Sequence, residues 1–367
     1  MKVLLVGPGG FGKYFVDLLL DNTDETIVFE GVVARTSCHR REDIEAAGIP
    51  IYPTIQDFYA EHSADLAIIC TPSFLHCEQS IYCLEQGSYV LCEKPAAPTS
   101  AECEKMLEAE KRTGRFIAIG FNMAFADGTL NLKKDILDGV FGKPISMKTI
   151  ILTGRKLDYY GRGSGYAGCI SKNGHMVLDS VASNACAHYV YNMLYLLGGQ
   201  MDTAADASIV QCECYRANDI ENFDTCTMNL SAAGIPLFFA ASHAANIGAP
   251  YTFCFEFEKA TVTNGENGTY KAIFTDGTEK IYDNPLKHGE TKKTMDCINA
   301  ALNGTSPVCT VKTTLPHVKL IEDIYQQIPI TTFSSEEKTC IDNKMTVPGL
   351  GDRLLQAYEK TCMLSEI

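Results

Sequence analysis

The sequence has no hydrophobic run long enough to cross a membrane, and its first apolar stretch, residues 2–6, is shorter than a signal-peptide core. It also has no excess of basic residues: 45 aspartates and glutamates outnumber 31 lysines and arginines, for a formal net charge of −14. That charge disfavours binding to a nucleic-acid backbone. We therefore expect a cytoplasmic protein with no nucleic-acid or membrane partner.

Zinc and disulfide frameworks are also missing, although there are 16 cysteines. No Cys-x-x-Cys occurs, and the closest pair is Cys212 and Cys214. Reduced, buried cysteine behaves as a small hydrophobic residue, so we expect most of these side chains to pack. No cluster of His, Cys and carboxylate residues has the spacing of metal ligands, and no metal is expected.

The first predicted strand, residues 2–6, leads into a glycine-rich turn, and a periodic helix follows to about Leu20. Strand, turn and helix in this order form the context in which Gly-x-Gly-x-x-Gly binds a dinucleotide. The phosphates would then lie at the helix N-terminus, where free N–H groups and the helix dipole favour anions. The cofactor-binding candidates of this turn are Gly7, Gly9, Gly10, Phe11 and Gly12.

The second predicted strand ends in Arg35, Thr36 and Ser37. A dinucleotide fold that prefers NAD usually has Asp or Glu here for the ribose hydroxyls, whereas arginine accommodates the 2′-phosphate of NADP. The sequence therefore favours NADP as cofactor. The alternative is NAD, with the arginine only facing solvent.

Glu93, Lys94 and Pro95 follow a short apolar strand, residues 89–92. In open α/β sheets, ligands bind at the carboxyl ends of the strands. Pro95 biases Lys94 toward extended geometry, and a lysine at a water-poor strand tip can have a lowered pKa that suits proton transfer. The alternative is a surface Glu-Lys pair in front of a loop.

The length of 367 residues and the order of the elements predict two domains. Strands and helices alternate through residue 120, which indicates a Rossmann-type, doubly wound parallel sheet, so we assign 1–122 to an NAD(P)-binding domain. Residues 123–367 are assigned to an α+β domain with a large, mostly antiparallel open sheet, with helices near residues 292–302 and 352–362. The fold class is α/β followed by α+β.

Four motifs together resemble the glucose-fructose oxidoreductase / inositol dehydrogenase / rhizopine catabolism (Gfo/Idh/MocA) family, in the family's order and spacing. They are the glycine turn, Thr71-Pro72 with His76, residues 90–95, and Gly120-Phe121-Asn122. The resemblance implies that Thr71, Pro72, His76, Glu93 and Lys94 belong to the cofactor site and that Lys94 is also catalytic. It also implies a homo-oligomer, a dimer or tetramer, that associates through the second-domain sheet.

Residues 176–188 lead into an apolar helix that ends at residues 198–199. Positions four apart share a helix face, so Ser180, Asn184 and His188 are expected to form one polar stripe, which needs partners or a ligand if the helix is buried. The alternative for His188 is a core histidine satisfied by a neighbour.

In the family this helix usually carries Asp-x-x-x-His facing the nicotinamide. His188 falls on the family histidine, and Asn184 falls where aspartate is common. Because asparagine cannot take a proton, either Asp179 supplies the carboxylate or His188 and Lys94 suffice.

Asp179 and Asn184 are therefore candidates for substrate binding. Tyr160 and Arg162 are candidates for contacts with substrate hydroxyls, unless they belong to a loop with no substrate role, and Asn122 is a further candidate. Three other residues are interpreted as structural: His175, His243 and Arg216.

The resemblance and these residues imply an NAD(P)-dependent dehydrogenase for a secondary hydroxyl of a sugar, glycoside or cyclic polyol. His188 would accept the hydroxyl proton while Lys94 hydrogen-bonds the same oxygen. Two alternatives occur in the same family: a redox-assisted glycosidase and a non-catalytic, dinucleotide-sensing regulator. Lys94 and His188 disfavour the regulator, while Asn184 keeps it open.

Overall fold

A computed structural model of the protein describes residues 1–35, 38–161 and 165–367. Three of the candidate residues, Thr36, Ser37 and Arg162, lie outside these ranges. The chain forms two compact units: Met1–Phe121 with Glu290–Leu315, and Asn122–Gly289 with Pro316–Ile367. None of the helices in the described ranges has both the length and the apolar character that a membrane crossing requires.

Residues 1–121 alternate between strands and helices. The strands are β1 (Lys2–Val6), β2 (Val28–Val33), β3 (Ile51–Tyr52), β4 (Leu66–Ile69), β5 (Tyr89–Cys92) and β6 (Ile117–Ile119). The helices are α1 (Gly12–Leu20), α2 (Arg41–Ala46), α3 (Ile55–Glu61), α4 (His76–Glu85) and α5 (Ser100–Thr113). The strands are apolar throughout because both faces of a parallel sheet are covered.

The six strands form one parallel sheet in the order β3-β2-β1-β4-β5-β6. The order reverses direction between β1 and β4, which is the switch point where doubly wound sheets bind dinucleotides. This confirms the predicted Rossmann sheet, and it places the ends of β1, β4 and β5 at one edge.

Residues 122–289 form most of the second unit. The helices are α6 (Asn122–Phe125), α7 (Asp127–Leu137), α8 (Asp158–Gly161) and α9 (Ala187–Leu196), with a π-helix at Val181–Ala185. The strands are β7 (Pro144–Leu152), β8 (Ser171–Lys172), β9 (His175–Met176), β10 (Ala207–Arg216), β11 (Thr225–Ala232), β12 (Ile235–Ser242), β13 (Ala249–Phe257), β14 (Ala260–Asn264), β15 (Tyr270–Phe274) and β16 (Glu279–Tyr282).

The remaining elements follow in the last quarter of the chain. They are α10 (Gly289–Asn303), α11 (Val311–Gln327), β17 (Ile330–Thr332), β18 (Thr339–Ile341), β19 (Lys344–Thr346) and α12 (Leu350–Lys360). The predicted helices near residues 292–302 and 352–362 correspond to α10 and α12. The 17-residue helix α11 was not predicted, and it contains Pro316, a residue that normally ends a helical pattern.

The large sheet of the second unit has the order β16-β15-β14-β13-β7-β12-β11-β10-β17. Within the described ranges, β12 with β7 and β10 with β17 are parallel pairs, and the other pairs are antiparallel. This confirms the predicted, mostly antiparallel sheet. The interior strand β12 is buried on both faces: Phe239 belongs to the same hydrophobic cluster as Met193 of α9, and Phe238 to the same cluster as Leu354 of α12.

Residues 290–315 pack with the first unit, whereas the sequence analysis assigned them to the second domain. The Tyr14 hydroxyl lies 2.7 Å from Thr291 Oγ1, and the Ile119 N–H donates to the Cys309 carbonyl at 2.9 Å. A helical pattern in the sequence indicates that a helix has a buried face, but it does not indicate which domain covers that face.

Glu110 in α5 is expected to make stability depend on pH. Its Oε1 accepts a hydrogen bond from the Ile117 N–H at 2.6 Å, and burial raises the pKa of Glu110 from 4.5 to about 7. Since the folded-state pKa lies above the unfolded value, this contribution to stability is complete below about pH 4.5 and is lost as the pH rises through 7.

Glu110→Gln should therefore raise the unfolding free energy on the order of 2 kcal/mol at pH 8 and little at pH 5. Chemical denaturation at both pH values measures the difference. Glu108→Gln, an exposed position on the same helix, is the matched control. If Glu110→Gln raised the unfolding free energy equally at pH 5 and pH 8, the raised pKa of Glu110 would be wrong.

Candidate active site

The glycine turn between β1 and α1 has the shape that a pyrophosphate requires. A Cβ atom at Gly12 would lie 1.9 Å from the Gly7 carbonyl oxygen, so only glycine lets α1 start this close to the strand. The first turn of α1 contains no acidic residue, and its N-cap, Phe11, makes no side-chain hydrogen bond to the helix. The positive end of the helix dipole therefore suits an anion, and these residues fit a dinucleotide.

Arg35 lies exposed just beyond β2, at the position predicted to select NADP. The next two arginines in the sequence, Arg40 and Arg41, pair with carboxylates. Arg40 forms ion pairs with Asp17, Asp21 and Asp43, and Arg41 with Glu45. The NADP hypothesis consequently depends on Arg35.

His76, at the start of α4, connects the loops that follow β4 and β5. Its Nδ1 lies 2.8 Å from the Pro95 carbonyl oxygen and its Nε2 lies 2.8 Å from the Thr71 carbonyl oxygen. Burial lowers the pKa of His76 below 6.5 in spite of these two acceptors, so the ring is neutral near pH 7 and donates one of the two bonds. The observed contacts support a role in holding the turn after β4 against the loop that contains Lys94 and Pro95.

Glu93 is buried at the carboxyl end of β5, and its carboxylate is held from three sides. Oε1 accepts a hydrogen bond from Lys293 Nζ, and Oε2 accepts one from the Lys94 backbone N–H at 3.3 Å. On the third side lies Gly120, where a Cβ atom would come within 2.6 Å of Oε1. Lys94 follows, half-buried, with a cis peptide bond to Pro95. These contacts hold the Glu-Lys-Pro motif in a defined conformation at the end of β5.

Lys293, the partner of Glu93, belongs to none of the sequence motifs. The side chain is 0% exposed, and it lies on the buried face of α10, four residues before the buried Cys297. A lysine on the apolar face of an amphipathic helix is the signal that could have identified it, because a buried ammonium needs a partner.

The second unit brings Asp179 and Asn184 together. Asp179 Oδ1 accepts a hydrogen bond from Asn184 Nδ2 at 2.7 Å, and Oδ2 accepts one from the Gly168 N–H at 2.6 Å. The preceding residue, Leu178, is buried in the left-handed region with φ 50°, which is unfavourable for a leucine. Strained backbone of this kind is concentrated at functional sites, where the surrounding structure holds it in place.

The segment after Asp179 is not one regular helix, and this part of the sequence interpretation was wrong. Residues 181–185 form a π-helix, the chain leaves helical geometry at Cys186 (φ −105°, ψ 10°), and α9 begins at Ala187. Ser180 caps the π-helix by accepting a hydrogen bond from the Ser183 N–H at 3.1 Å. The spacing of four residues therefore does not place Ser180, Asn184 and His188 on a common helix face. π-Helical turns are frequent at functional sites.

Tyr160, predicted to bind substrate, lies beside His243, which had been interpreted as structural. The tyrosine hydroxyl is 3.2 Å from His243 Nδ1. Burial, with a smaller effect from the negative charge of Asp224, raises the pKa of Tyr160, so its hydroxyl stays protonated. The carboxylate of Asp224 accepts hydrogen bonds from Ala217 N–H and Asn218 N–H, and burial raises its pKa as well.

A cavity of about 660 Å³ opens beside this cluster, which is in the size range of small-molecule sites. Its lining includes Tyr160 and Gly168, the residue whose N–H binds Asp179. Arg216 also lines it, but the guanidinium donates to the carbonyls of Ile220 and Glu221, which supports its structural interpretation.

The structure places two other predicted residues in helices of the second unit. Asn122 begins α6, where its backbone packs against Gly289, and His188 lies in the first turn of α9. All sixteen cysteines fall in the described ranges, and none of them forms a disulfide bond. In those same ranges no group of three or more His, Cys, Asp or Glu side chains is arranged to hold a metal ion.

Comparison with known proteins supports a dinucleotide-binding fold for residues 1–121. The model of an oxidoreductase family with an NAD-binding Rossmann fold, GFO_IDH_MocA, matches residues 1–121. Inositol 2-dehydrogenase of Salmonella paratyphi B is 33% identical over 95 residues, which cover 26% of this chain and 28% of that protein. The scyllo-inositol 2-dehydrogenase (NADP(+)) IolW of Bacillus subtilis is 29% identical over 139 residues, 38% of each chain. Less than half of either relative is therefore matched.

One solved structure is similar to this chain over most of its length. The WlbA dehydrogenase from Bordetella pertussis, in complex with NADH and UDP-GlcNAcA, has a TM-score of 0.71 and covers 89% of this chain and 95% of its own, at 21% identity. At that identity the likeness shows a shared fold. The motif-based resemblance is thus confirmed for the first domain: residues 1–121 match the NAD-binding Rossmann domain of the Gfo/Idh/MocA oxidoreductase family.

Proposed function

We propose that the protein is an NAD(P)-dependent oxidoreductase that acts on a secondary hydroxyl, or the corresponding ketone, of a sugar, glycoside or cyclic polyol. The observation that carries the proposal is the Glu93-Lys94 structure at the tip of β5, next to the switch point of a dinucleotide-type sheet. The names of the relatives support the substrate class.

The bound nicotinamide would supply the hydride acceptor. Residues 7–12 would hold the pyrophosphate at the start of α1, and Arg35 would lie near the adenosine ribose. Thr71 and Pro72 stay cofactor-site predictions, with His76 holding the adjoining loop.

Lys94 is proposed to donate a hydrogen bond to the substrate oxygen and to stabilise the charge that develops there. His188 is proposed to accept the hydroxyl proton. Asp179 is proposed to supply the carboxylate that Asn184 cannot, and its hydrogen bonds to Gly168 and Asn184 orient it. Tyr160 stays a candidate for binding substrate hydroxyls, as do Arg162 and Asn122.

Arg35 is expected to set cofactor preference. Arg35→Ser should weaken NADPH binding about 10-fold or more, since charge-assisted hydrogen bonds contribute on the order of 2 kcal/mol, and it should leave NADH binding nearly unchanged. Fluorescence titration of both reduced cofactors measures this. The control is Arg41→Ser, which removes an arginine paired with Glu45. If Arg35→Ser affects the two cofactors equally, the NADP hypothesis is wrong.

The activity is tested with purified protein, NAD and NADP separately, and a panel of inositols, free sugars and aryl glucosides. Reduced cofactor that accumulates with one substrate group supports the proposal. Release of the aglycone from a glucoside without net cofactor reduction indicates the redox-assisted glycosidase. Tight cofactor binding with no reaction in either assay favours the regulator. The homo-oligomer implied by the resemblance stays a prediction.

A further inference from the structure

The Lys293 side chain lies inside the first unit, between the glycine turn and the tip of β5. Its Nζ donates to Glu93 Oε1 and lies 4.9 Å from the centroid of the Phe11 ring and 5.1 Å from that of Phe15. Phe11 is part of the turn that would hold the pyrophosphate, and Phe15 is in the next turn of α1. One ammonium therefore contacts both parts of the dinucleotide site.

Stability alone is a weak reason for a buried ion pair in this place. Removing two charges from water costs several kcal/mol per ion, and well-packed apolar residues of similar volume are often as stable or more so. The ion pair lies beside the ends of the strands. Burial there, together with the negative charge of Glu93, raises the pKa of Cys70 well above its ordinary value. The position of the Lys293–Glu93 pair, at the end of β5, therefore favours a role in ligand binding over a role in stability alone.

We propose that Lys293 is a positioning residue of the dinucleotide site. The ammonium fixes the Glu93 carboxylate, which in turn accepts the Lys94 backbone N–H, and it holds the Phe11 ring through a cation–π contact. Dinucleotide affinity then depends on residues 290–315, a segment distant in sequence from the glycine turn. The inference deepens the proposed function, and it rests on that function only for the identity of the ligand.

The test compares NADH and NADPH affinity for three single variants by fluorescence titration, at a temperature where circular dichroism shows each to be fully folded. Lys293→Met should weaken binding at least 10-fold, and Lys293→Arg should recover most of the loss. Thr291→Ala is the matched control, because it removes a hydrogen bond between the same two helices at Tyr14. In fully folded protein, a purely structural role would change the melting temperature but not the affinity.

If Lys293→Met does not fold, the double variant Glu93→Gln with Lys293→Met removes both buried charges and should restore stability while binding stays weak. Wild-type affinity in either methionine variant would overturn the proposal. The readout needs no turnover, so a failure to find a sugar substrate leaves this test intact. Wild-type protein that binds neither NADH nor NADPH would overturn both proposals.

Discussion

Lys94→Ala is expected to lower kcat on the order of 10³-fold while dinucleotide affinity stays close to that of the wild-type protein. The reason is that a single well-placed donor to a developing oxyanion contributes about 10²–10³ in kcat, and a group that also affects proton transfer adds to this. The backbone N–H of residue 94, which binds Glu93, is kept in the variant. Cofactor binding therefore loses little.

Steady-state kinetics with the best substrate of the panel, together with NADH and NADPH titrations, measure the two effects separately. Lys105→Ala, on the exposed face of α5, is the control for loss of a positive charge. Partial rescue of Lys94→Ala by added methylamine would show that the missing ammonium is the cause. Turnover at the wild-type level in Lys94→Ala would exclude Lys94 as a catalytic group.

Asp179→Asn is expected to lower kcat about 10²-fold, with the protein still folded. The carboxylate accepts hydrogen bonds from both the Gly168 N–H and Asn184 Nδ2, and an amide at position 179 can satisfy only one of them without turning an N–H₂ group toward a donor.

Asn184→Asp gives the companion result. A second carboxylate at the 2.7 Å contact with Asp179 places two like charges together, so the pKa of one of them is raised. The acidic limb of the kcat/KM profile should then move to higher pH by about one unit or more. Asn303→Asp, on the exposed end of α10, is the control. A profile unchanged from the wild type would mean that this pair takes no part in the reaction.

The first unit was the more predictable because its signals are local. Strand, glycine turn and helix follow one another within twenty residues, and the steric clash that requires Gly12 is mainly with Gly7 of the same turn. The Glu93-Lys94-Pro95 motif was likewise visible, since an apolar strand ends directly at a charged pair. The contacts that hold this motif were not, because His76 and Lys293 reach it from other parts of the chain.

The helix around Asn184 shows why spacing was insufficient in the second unit. A rule of four residues assumes α-helical pitch, and the π-helix at residues 181–185 changes the angle per residue. The contact between Asp179 and Asn184 depends on that change and on the positive φ of Leu178, neither of which has a sequence signature. The contact between His243 and Tyr160 could not be predicted for a related reason, because the two residues are 83 positions apart in the sequence.

The sequence by itself determined the alternation of strands and helices, the parallel first sheet, the mostly antiparallel second sheet, the glycine turn and the lysine at the strand tip. These features follow from periodicity and short-range sterics, which each segment expresses alone. Only the tertiary structure decided that residues 290–315 join the first unit, that Lys293 holds Glu93 and that Asp179 pairs with Asn184. Such contacts arise when buried polar groups must find partners, and the partners are chosen by packing between distant segments.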